Sequence, residues 1–378
     1  MNDNREVAII GAGVIGLGIG WQLARRGYPV TVFERDEPGS GASNAAAGML
    51  APLAELEFEE TALFRLGMAS LESYPEFIEA LESETGQSVD HRDDGTLVVA
   101  VDRDDAEAVD HIQKYREQLD LDVERLSAEE ARELEEGLAP SIHSAVLCHS
   151  DSQIDPRRLV DALTAAFENA GGTLVTGKRV VEVETSDGVR ALRTADGERH
   201  ETDLAVVCAG AWVNELEGLP SSVVPPIRPV RGQMIATTLG EPPLCRHVLR
   251  VPDPSQLDVY LVPKSDGRLL IGATSEERGF DPHLTAGGVF ELLRGAWKAL
   301  PGIYDQDILE MWTGFRPVTL DNEPVLGPTD VDGLWLAVGH GRAGILLAPV
   351  TARSIADAIE TGQIPDVIKD FTPASKTR

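Results

Sequence analysis

The first forty residues constrain the fold of this chain more than any other part of it. Val7–Ile10 is an apolar run short enough for one buried parallel strand, and a glycine-rich turn over residues 11–16 follows directly. Residues 17–26 have the apolar spacing of a helix, and a second apolar run, Val30–Phe33, ends at Glu34. The order strand, glycine turn, helix, strand and acid predicts a βαβ unit that binds a dinucleotide.

Four residues of this unit have distinct expected tasks. Gly11 permits the tight turn, Gly13 lets the backbone approach a pyrophosphate, and Gly16 lets the helix pack on the strand. The helix N-terminus then presents unpaired N–H groups and a positive dipole end to the phosphates. Glu34 accepts hydrogen bonds from ribose hydroxyls and repels a 2′-phosphate. A glycine-rich turn can also be only a turn, but strand, helix and acid in register favour dinucleotide binding.

Length and composition indicate a protein of two lobes in a reducing compartment. A chain of 378 residues is too long for one ordinary core, and 42% hydrophobic residues are ample for burial. No run approaches the ~20 apolar residues of a membrane span. Residues 1–6 are polar and the first strand follows at once, so no signal peptide is expected. The three cysteines have no CxxC or metal spacing, which favours the cytoplasm.

The charge of the chain excludes several partners. The formal net charge is −30, from 63 acidic and 33 basic residues. Such a surface repels nucleic acid and anionic membranes. It can reflect general solubility or a salt-rich cytoplasm in which screening lets dense carboxylates coexist. Arginine greatly outnumbers lysine. A salt-rich cytoplasm and a high genomic GC content are alternative explanations of this replacement of lysine by arginine.

Helical and strand patterns continue to the end of the chain. Helices are predicted over 56–84 with a break near Pro75, 104–119, 127–136, 155–169, 287–299 and from 345 to about 361. Ser127 and Glu130 have the spacing of a capping box. Strands are predicted at 96–101, 173–175, 180–183, 233–238, 259–263, 269–272 and 334–338. The apolar run over 204–212 ends in a small-residue turn and is expected to return to the first sheet.

Six motifs occur in one order along the chain: residues 7–16, 43–50, 154–156, 206–212, 314–317 and 339–349. Together they resemble the D-amino-acid oxidase family of FAD-dependent amine oxidoreductases, and the resemblance spans nearly the whole chain. The runs Ala-Ala-Ala-Gly-Met-Leu and Gly-Arg-Ala-Gly-Ile-Leu-Leu-Ala-Pro are typical of its glycine oxidase subgroup, which serves thiamine biosynthesis.

The resemblance implies an α/β fold with a Rossmann-type, glutathione-reductase-like FAD-binding domain and an interleaved antiparallel α+β substrate domain. The FAD-binding domain is expected at 1–55, 140–225 and 318–378, and the substrate-binding or cap domain at 56–139 and 226–317. Glycine-rich turns at 208–212 and 339–344 would meet the same crevice as the first turn. The helix from Ile345 would point its positive N-terminus at the pyrimidine edge of an isoalloxazine, which favours FAD over NAD.

The residues expected to bind FAD come from all parts of the proposed FAD-binding domain and from the Gly-Phe-Arg-Pro motif. They are Gly11, Gly13, Val14, Ile15, Gly16, Glu34, Arg35, Ser43, Asn44, Ala46, Ala47, Gly48, Met49, Val180, Ala209, Gly210, Trp212, Gly314, Arg316, His340, Gly341, Arg342, Ala343, Gly344, Ile345 and Leu346.

Four residues are expected to hold the substrate. Arg316 matches the family arginine that binds the substrate carboxylate, and its rigid fork suits two carboxylate oxygens. Tyr260 matches a tyrosine that donates a second hydrogen bond, Arg342 an arginine beside flavin and substrate, and Met49 a methionine near the ring. The alternatives are a surface ion pair for Arg316, packing for Tyr260 and core filling for Met49.

The chain departs from the subgroup at two positions and lacks one family feature. Asp258 stands where glycine oxidases carry a histidine, and Ser275 stands where they carry a methionine, which puts glycine as the preferred substrate in doubt. Family members with covalent flavin use a cysteine in the loop before the final strands. Cys148, Cys208 and Cys245 lie elsewhere, so a non-covalent FAD is expected. The histidines have no metal spacing.

The expected activity is oxidation of a small amino acid such as glycine, sarcosine or a D-amino acid. Hydride passes from Cα to flavin N5, an imine forms, and O2 reoxidises the flavin to give H2O2. The enzymatic alternative is a D-amino-acid or proline dehydrogenase that passes electrons to a quinone. A tRNA-modifying flavoprotein is disfavoured by the net charge, and a non-catalytic flavin-holding subunit by the presence of both Arg316 and Tyr260. A homo-oligomer is possible.

Overall fold

The computed structural model describes residues 5–56, 60–101, 106, 109, 113, 114, 116, 119, 121–220, 224–252 and 257–376. The helices of this part of the chain are α1 (Val14–Arg25), α2 (Ala42–Ala45), α3 (Thr61–Thr85), α4 (Ala128–Leu134), α5 (Pro156–Asn169), α6 (Ala286–Ala299), α7 (Ala348–Thr361) and α8 (Pro373–Lys376). The strands are β1 (Val7–Ile10), β2 (Val30–Phe33), β3 (Met49–Leu50), β4 (Thr96–Ala100), β5 (Val123–Ser127), β6 (Ser144–Cys148), β7 (Ser152–Gln153), β8 (Thr173–Val175), β9 (Val180–Thr185), β10 (Val189–Thr194), β11 (Arg199–Glu201), β12 (Leu204–Val207), β13 (Arg228–Thr238), β14 (Val248–Val251), β15 (Val259–Pro263), β16 (Arg268–Gly272), β17 (Ile308–Val318), β18 (Val325–Pro328) and β19 (Leu334–Val338).

A six-stranded sheet with the order β18-β19-β12-β1-β2-β8 forms the first unit, and only β18 is antiparallel to its neighbour. Its central strands β1 and β12 are apolar throughout because both of their faces are buried. Val7 and Ile9 point to the helices α1, α5 and α7, whereas Ala8 and Ile10 point to the small antiparallel sheet of β9, β10 and β11. The predicted βαβ unit and the return of residues 204–207 to this sheet are confirmed.

An eight-stranded sheet forms the second unit, with the order β17-β13-β16-β15-β14-β4-β6-β5. All of its neighbouring strands are antiparallel except β14 and β4. One face packs on α6 through Leu292, Ala296 and Ala299. The other face, which carries Met234 and Tyr260, is directed towards residues 42–48, the small-residue segment before β3. The mixed architecture of a Rossmann-type unit and an interleaved, largely antiparallel unit is the predicted one.

Local details of the helices differ from the prediction in two places. The helix α3 runs through Pro75 without the expected break, and it begins at Thr61. The closing helix begins at Ala348 and not at Ile345, because a turn over residues 341–347 intervenes. The capping box of Ser127 and Glu130 is present, with hydrogen bonds in both directions. The predicted helix over 104–119 lies largely outside the described residues.

The packing of two elements crosses the predicted domain boundaries. The helix α3 falls inside the range 56–139 that was assigned to the substrate domain, but Leu66, Tyr74 and Leu81 are buried in the core of the first sheet. The strand β6 falls inside the range 140–225 of the FAD-binding domain, but it belongs to the eight-stranded sheet. The first two crossings between the units therefore lie later in the chain than the sequence pattern indicates. The remaining division stays a prediction.

Candidate active site

A cavity of about 610 Å³ lies between the two units. The carboxyl ends of β1, β2, β12 and β19 form one side of it, and the face of the eight-stranded sheet that carries Tyr260 forms the other. Ligands of open α/β sheets bind at the carboxyl ends of the strands. The cavity therefore lies where the sequence predicts the dinucleotide.

The first glycine turn packs directly against the end of β12. Gly11 has φ +106°, and a Cβ atom on it would approach the Cys208 carbonyl oxygen to 2.6 Å. A Cβ atom on Gly16 would lie 2.0 Å from the Gly11 carbonyl oxygen. The N–H of Val14 donates to Ser43 Oγ over 3.1 Å, which ties the start of α1 to the small-residue segment. Only glycine fits at both turn positions, as predicted.

The carboxylate of Glu34 is 9% exposed and holds the backbone around it. Its Oε2 accepts from the Ala12 N–H over 2.8 Å, and its Oε1 accepts from the Asp36 N–H over 3.1 Å. Each oxygen retains a second acceptor position for a ribose hydroxyl. The neighbouring Arg35 lies over the Trp212 ring, with 3.7 Å between its Cζ and the ring centroid. Arg35 and Trp212 therefore line the cavity as one stacked pair.

The small-residue segment is held against β7 and the residue that follows it. A Cβ atom on Gly48 would lie 1.9 Å from the Ile154 carbonyl oxygen, and the Ile154 N–H donates to the Gly48 carbonyl over 2.9 Å. Met49 pairs with Gln153 and lines the cavity. A Cβ atom on Gly314 would lie 2.3 Å from the Ala45 Cβ, so glycine lets β17 approach this segment. Small side chains bring the backbone to the cavity from both units.

The last glycine turn carries a buried, neutral histidine. Gly339 and Gly341 have φ values of +78° and +54°. Burial lowers the pKa of His340 to about 3, and its Nε2 lies 3.2 Å from Thr351 Oγ1 on α7. Because the imidazole is uncharged at neutral pH, it adds no positive charge to the cavity. The turn over 341–347 presents Gly341, Gly344 and Ile345 to the cavity before α7 starts.

Arg316 and Tyr260 lie next to each other on the wall formed by the eight-stranded sheet. The Nη1 of Arg316 donates to the Thr274 carbonyl oxygen over 3.0 Å. Among the described residues, no carboxylate forms an ion pair with Arg316. The Tyr260 hydroxyl donates to the Met234 sulfur over 3.3 Å. Burial raises the pKa of Tyr260, and the nearby Arg316 opposes this rise, so the phenol stays protonated and able to donate.

Gly232 makes room for the Arg316 side chain. Gly232 on β13 lies directly opposite Gly314 on β17. A Cβ atom on Gly232 would lie 2.8 Å from Arg316 Nη1 and 3.1 Å from its Cζ. The guanidinium therefore lies over a position that has no side chain.

Arg342 lines the cavity, but an ion pair on its other side already holds it. Its Nη2 contacts Glu60 Oε2, and its Nη1 lies 3.3 Å from Glu60 Oε1. Glu60 directly precedes α3, so this pair ties the last glycine turn to that helix. The structure therefore shows a tether for Arg342 that the sequence did not predict.

Most of the predicted site residues are brought together around one cavity. Those that line it are Gly11, Gly13, Val14, Ile15, Glu34, Arg35, Ser43, Ala46, Ala47, Gly48, Met49, Val180, Ala209, Gly210, Trp212, Tyr260, Gly314, Arg316, His340, Gly341, Arg342, Gly344 and Ile345. Four do not line it: Gly16, which packs on Gly11, and Asn44, Ala343 and Leu346. The Asn44 carbonyl instead faces Arg157, and the Leu346 carbonyl accepts from Ser70 on α3.

Sequence reasoning missed Glu55 and Arg250, which also line the cavity. Neither belongs to a motif, and only the pairing of β14 with β15 places Arg250 beside Tyr260. Asp258 and Ser275, the two departures from the subgroup, line the cavity as well. The altered positions therefore lie at the site and not on a distant surface.

The described residues fit FAD. A helix N-terminus, a nearly buried carboxylate at the end of β2 and three glycine turns meet at one cavity, and Cβ atoms would fill or distort the turns at Gly11 and Gly48. In the part of the chain that the structure describes, no group of His, Cys, Asp and Glu is arranged to hold a metal ion, and no helix is long and apolar enough to cross a membrane.

This site defines a flavin-dependent oxidoreductase, and the chain belongs to the family described as FAD dependent oxidoreductase (DAO), which matches residues 6–358. Its cofactor is FAD. The chain is 34% identical to the glycine oxidase of Geobacillus kaustophilus over 384 residues, which cover 100% of this chain and 98% of that protein. The crystal structure of that glycine oxidase matches with a TM-score of 0.90 over 98% of both chains.

Two further proteins are similar to this chain. The chain is 36% identical to the bifunctional protein ThiO/ThiG of Trichormus variabilis over 97% of its own length, and it spans 54% of that longer protein. An iminodiacetate oxidase from Chelativorans has 27% sequence identity and a TM-score of 0.85, over 97% of this chain and 98% of that one.

Proposed function

We propose that this chain oxidises a small amino acid, namely glycine, sarcosine or a D-amino acid, to the corresponding imine, with O2 as the final electron acceptor. One observation supports this most directly. Arg316 lies beside a protonated tyrosine in the cofactor cavity, without a carboxylate partner among the described residues. The names of the glycine oxidases similar to this chain support the same substrate class.

The side chains around the cavity divide the work of binding. Arg316 forms a bidentate pair with the substrate carboxylate, and the Tyr260 hydroxyl donates a further hydrogen bond to it. These contacts fix the position of Cα, and orientation of the reacting carbon accounts for a large part of such rate enhancements. The amine has to be neutral, because its lone pair assists the departure of the hydride. Bound FAD supplies the two-electron acceptor.

The backbone of the three glycine turns, the N-terminus of α1 and Glu34 hold the FAD. We propose that the cofactor is non-covalent. Cys208 lines the cavity, but burial raises the pKa of its thiol, and a buried thiol is a poor nucleophile. The similarity to the ThiO/ThiG proteins favours a role for this chain in supplying an imine for the thiazole of thiamine. Three buried, unpaired cysteines favour a reducing compartment such as the cytoplasm.

The test compares a carboxylated substrate with the matching simple amine. Wild type is expected to oxidise sarcosine and to release H2O2, but not to oxidise methylamine. Replacing Arg316 by Lys keeps the charge and loses the fork, so KM should rise strongly. Arg316→Met should lower kcat/KM by an amount that corresponds to about 3–5 kcal/mol of transition-state stabilisation. The loss is this large because the substrate binds more weakly and its Cα is also no longer oriented.

Controls separate the substrate anchor from the cofactor site. FAD content should stay normal in both variants, and Arg353→Met, on the exposed face of α7, should leave kcat/KM unchanged. Equal oxidation of methylamine and sarcosine by wild type would refute the carboxylate anchor. If the protein reduces an added quinone and releases no H2O2, it is a dehydrogenase and not an oxidase. Acid precipitation should release the yellow cofactor into the supernatant, and colour in the pellet would contradict non-covalent binding.

A further inference from the structure

A cluster of polar side chains lies behind the wall that carries Arg316. Its members stand on β13 or shortly after β16, and none of them lines the cavity. They are Arg231, Gln233, Thr274 and Glu276, which we call the rear network. Because side chains alternate between the two faces of a strand and Met234 faces the cavity, Arg231 and Gln233 point to the opposite face of the sheet. The rear network therefore acts on a substrate only through other residues.

The link between the rear network and the active site is the backbone carbonyl of Thr274. Its oxygen accepts from Nη1 of Arg316 over 3.0 Å. The strand β16 has already ended at Gly272, and the Thr274 N–H donates to the Gln233 carbonyl over 3.4 Å. This distance is longer than the roughly 2.7–3.2 Å of a well-formed N–H···O bond. Backbone pairing therefore holds Thr274 only weakly, and its position depends on other contacts.

The hydroxyl group of Thr274 supplies these contacts. Its Oγ1 accepts from the Gln233 backbone N–H over 2.9 Å and donates to Glu276 Oε1 over 2.7 Å. A hydroxyl has a single proton, so the two partners together define its orientation. The Thr274 side chain is therefore held between β13 and the Glu276 carboxylate, and its carbonyl oxygen is kept below the guanidinium of Arg316.

Glu276 uses both of its carboxylate oxygens in this arrangement. Oε1 accepts from Gln233 Nε2 over 2.7 Å as well as from Thr274, and Oε2 accepts from Arg231 Nη2 over 2.5 Å. Burial alone would raise the pKa of Glu276, but the hydrogen bonds from Thr274, Arg231 and Gln233 lower it below its usual value. The group is therefore a carboxylate at neutral pH. An amide in its place would have one acceptor atom instead of two.

Arg231 anchors Glu276 from inside the protein. The Arg231 side chain is 1% exposed, and its Nη1 also donates to Asp281 Oδ2 and to the His283 carbonyl oxygen, both over 2.8 Å. The backbone N–H groups of Arg231 and Glu276 donate to each other's carbonyl oxygens over 2.9 and 3.0 Å. A buried guanidinium is costly to leave unpaired, so it keeps the carboxylate in place. Hydrogen bonds thus run without a gap from Arg231 through Glu276 and Thr274 to Arg316.

We propose that Thr274 and Glu276 are positioning residues: they hold the carbonyl oxygen that orients the Arg316 guanidinium, and they thereby set the affinity of the site for the substrate carboxylate. This inference rests on the proposed function, because Arg316 must be the group that binds the carboxylate. It adds that the face of the sheet opposite to the cavity contributes to substrate affinity, although no residue of that face touches the substrate.

The experiment measures carboxylate affinity both with and without turnover. Oxidised holoenzyme is titrated in a calorimeter with glycolate, which has the carboxylate but no amine, and KM and kcat for sarcosine are measured from H2O2 release. Thr274→Val removes the hydroxyl at similar volume, and Glu276→Gln removes one acceptor. In both variants the glycolate Kd and the sarcosine KM should rise by about tenfold, and kcat should change less. Thr274→Ser keeps the hydroxyl and should keep both constants close to those of wild type.

Matched controls separate positioning from a general loss of structure. Thr237 is another buried threonine of the same sheet, but its hydroxyl donates to the neighbouring Thr238 carbonyl, so Thr237→Val should leave Kd and KM unchanged. FAD content and thermal unfolding are compared for all variants. If Thr274→Val does not fold as holoenzyme, Glu276→Gln decides, because that side chain is 24% exposed. In the Arg316→Met background, Glu276→Gln should lower kcat/KM for sarcosine no further.

The outcomes distinguish this inference from the proposed function. If wild type oxidises neither sarcosine nor glycine nor D-alanine, but glycolate binding weakens in Glu276→Gln and Thr274→Val alone, the proposed function fails and the positioning role stands. If wild type oxidises these amino acids and both variants keep its glycolate Kd, the inference is overturned and the proposed function stands. The inference is also overturned if Thr274→Ser weakens glycolate binding as much as Thr274→Val, or if Glu276→Gln has its full effect without Arg316.

Discussion

A single methyl group at Gly232 tests the carboxylate anchor without removing any side chain. Gly232→Ala would place a Cβ atom 2.8 Å from Nη1, 3.0 Å from Nη2 and 3.1 Å from Cζ of Arg316. These atoms are the far end of a flexible side chain, so the guanidinium is displaced more easily than the backbone of β13. The charge stays in the cavity, but the fork no longer lies where a carboxylate meets it.

The size of the effect follows from the bond that is lost. A hydrogen bond to a charged group contributes about 1.5–3 kcal/mol, so kcat/KM for sarcosine should fall by roughly 10- to 150-fold, mainly through KM. The free energy of unfolding should change by less than about 1 kcal/mol, and FAD content should be normal. Gly287→Ala is the matched control, because a Cβ atom on this residue of α6 meets nothing within 4 Å.

A double-mutant cycle identifies the route of the effect. If Gly232→Ala acts through Arg316, it should cost almost nothing further in the Arg316→Met background. A Gly232→Ala enzyme that binds FAD and keeps the wild-type KM would refute the reasoning, because the displaced guanidinium would then not be the anchor. Equal losses in both backgrounds would assign the effect to the backbone of β13.

Three further predictions follow from other parts of the structure. Gly272→Ala should cost about 1–3 kcal/mol of stability in urea unfolding and also lower kcat/KM, because its Cβ atom would lie 2.3 Å from Met234 Sδ and 2.6 Å from the Tyr260 ring; a neutral effect would contradict this packing. Burial raises the pKa of Asp151 to about 7, so the native state binds a proton that the unfolded state releases at its ordinary pKa. The unfolding free energy of wild type relative to that of Asp151→Asn should therefore fall by about 1–3 kcal/mol as pH rises from about 5 to 8. If the difference between the two unfolding free energies does not change with pH, the prediction is refuted. The melting temperature should rise between about 0.01 and 1 M KCl, where the Debye length shrinks from about 30 to 3 Å. A melting temperature that does not change with KCl would show that the 63 acidic residues are not an adaptation to salt.

The parts of the fold with strong local patterns were predictable from the sequence. The unit from β1 to Glu34 combines period, turn glycines and a terminal acid within a short window, and its elements agree with one another. The start of the last helix was wrong by three residues, because the turn after Gly341 already has helical dihedral angles at Gly344. The uninterrupted α3 shows that burial of one helix face outweighs the local penalty of Pro75.

The parts of the site that depend on strand register were not predictable. Arg250 reaches the cavity because β14 pairs with β15, and the backbone before Glu55 is held because the N–H groups of residues 53 and 54 donate to Asp151, about a hundred positions later. No motif encodes such contacts, since the partners are brought together only by the complete eight-stranded sheet. Arg316 was predictable because it stands in a motif, but the space that Gly232 leaves for its guanidinium was not.

The strand order of the first sheet has a consequence for biosynthesis. β1 lies between β2 and β12, and β12 in turn pairs with β19, so the centre of the sheet joins residues near both ends of the chain. About 200 residues separate β1 from β12, which at a translation rate of about 5–20 residues per second leaves β1 without that partner for about 10–40 s. The glycine turns at the two ends meet only after β19 has left the ribosome. The complete flavin cavity can therefore form only after residues 339–344 have been synthesised, and FAD cannot contact all three glycine turns before then.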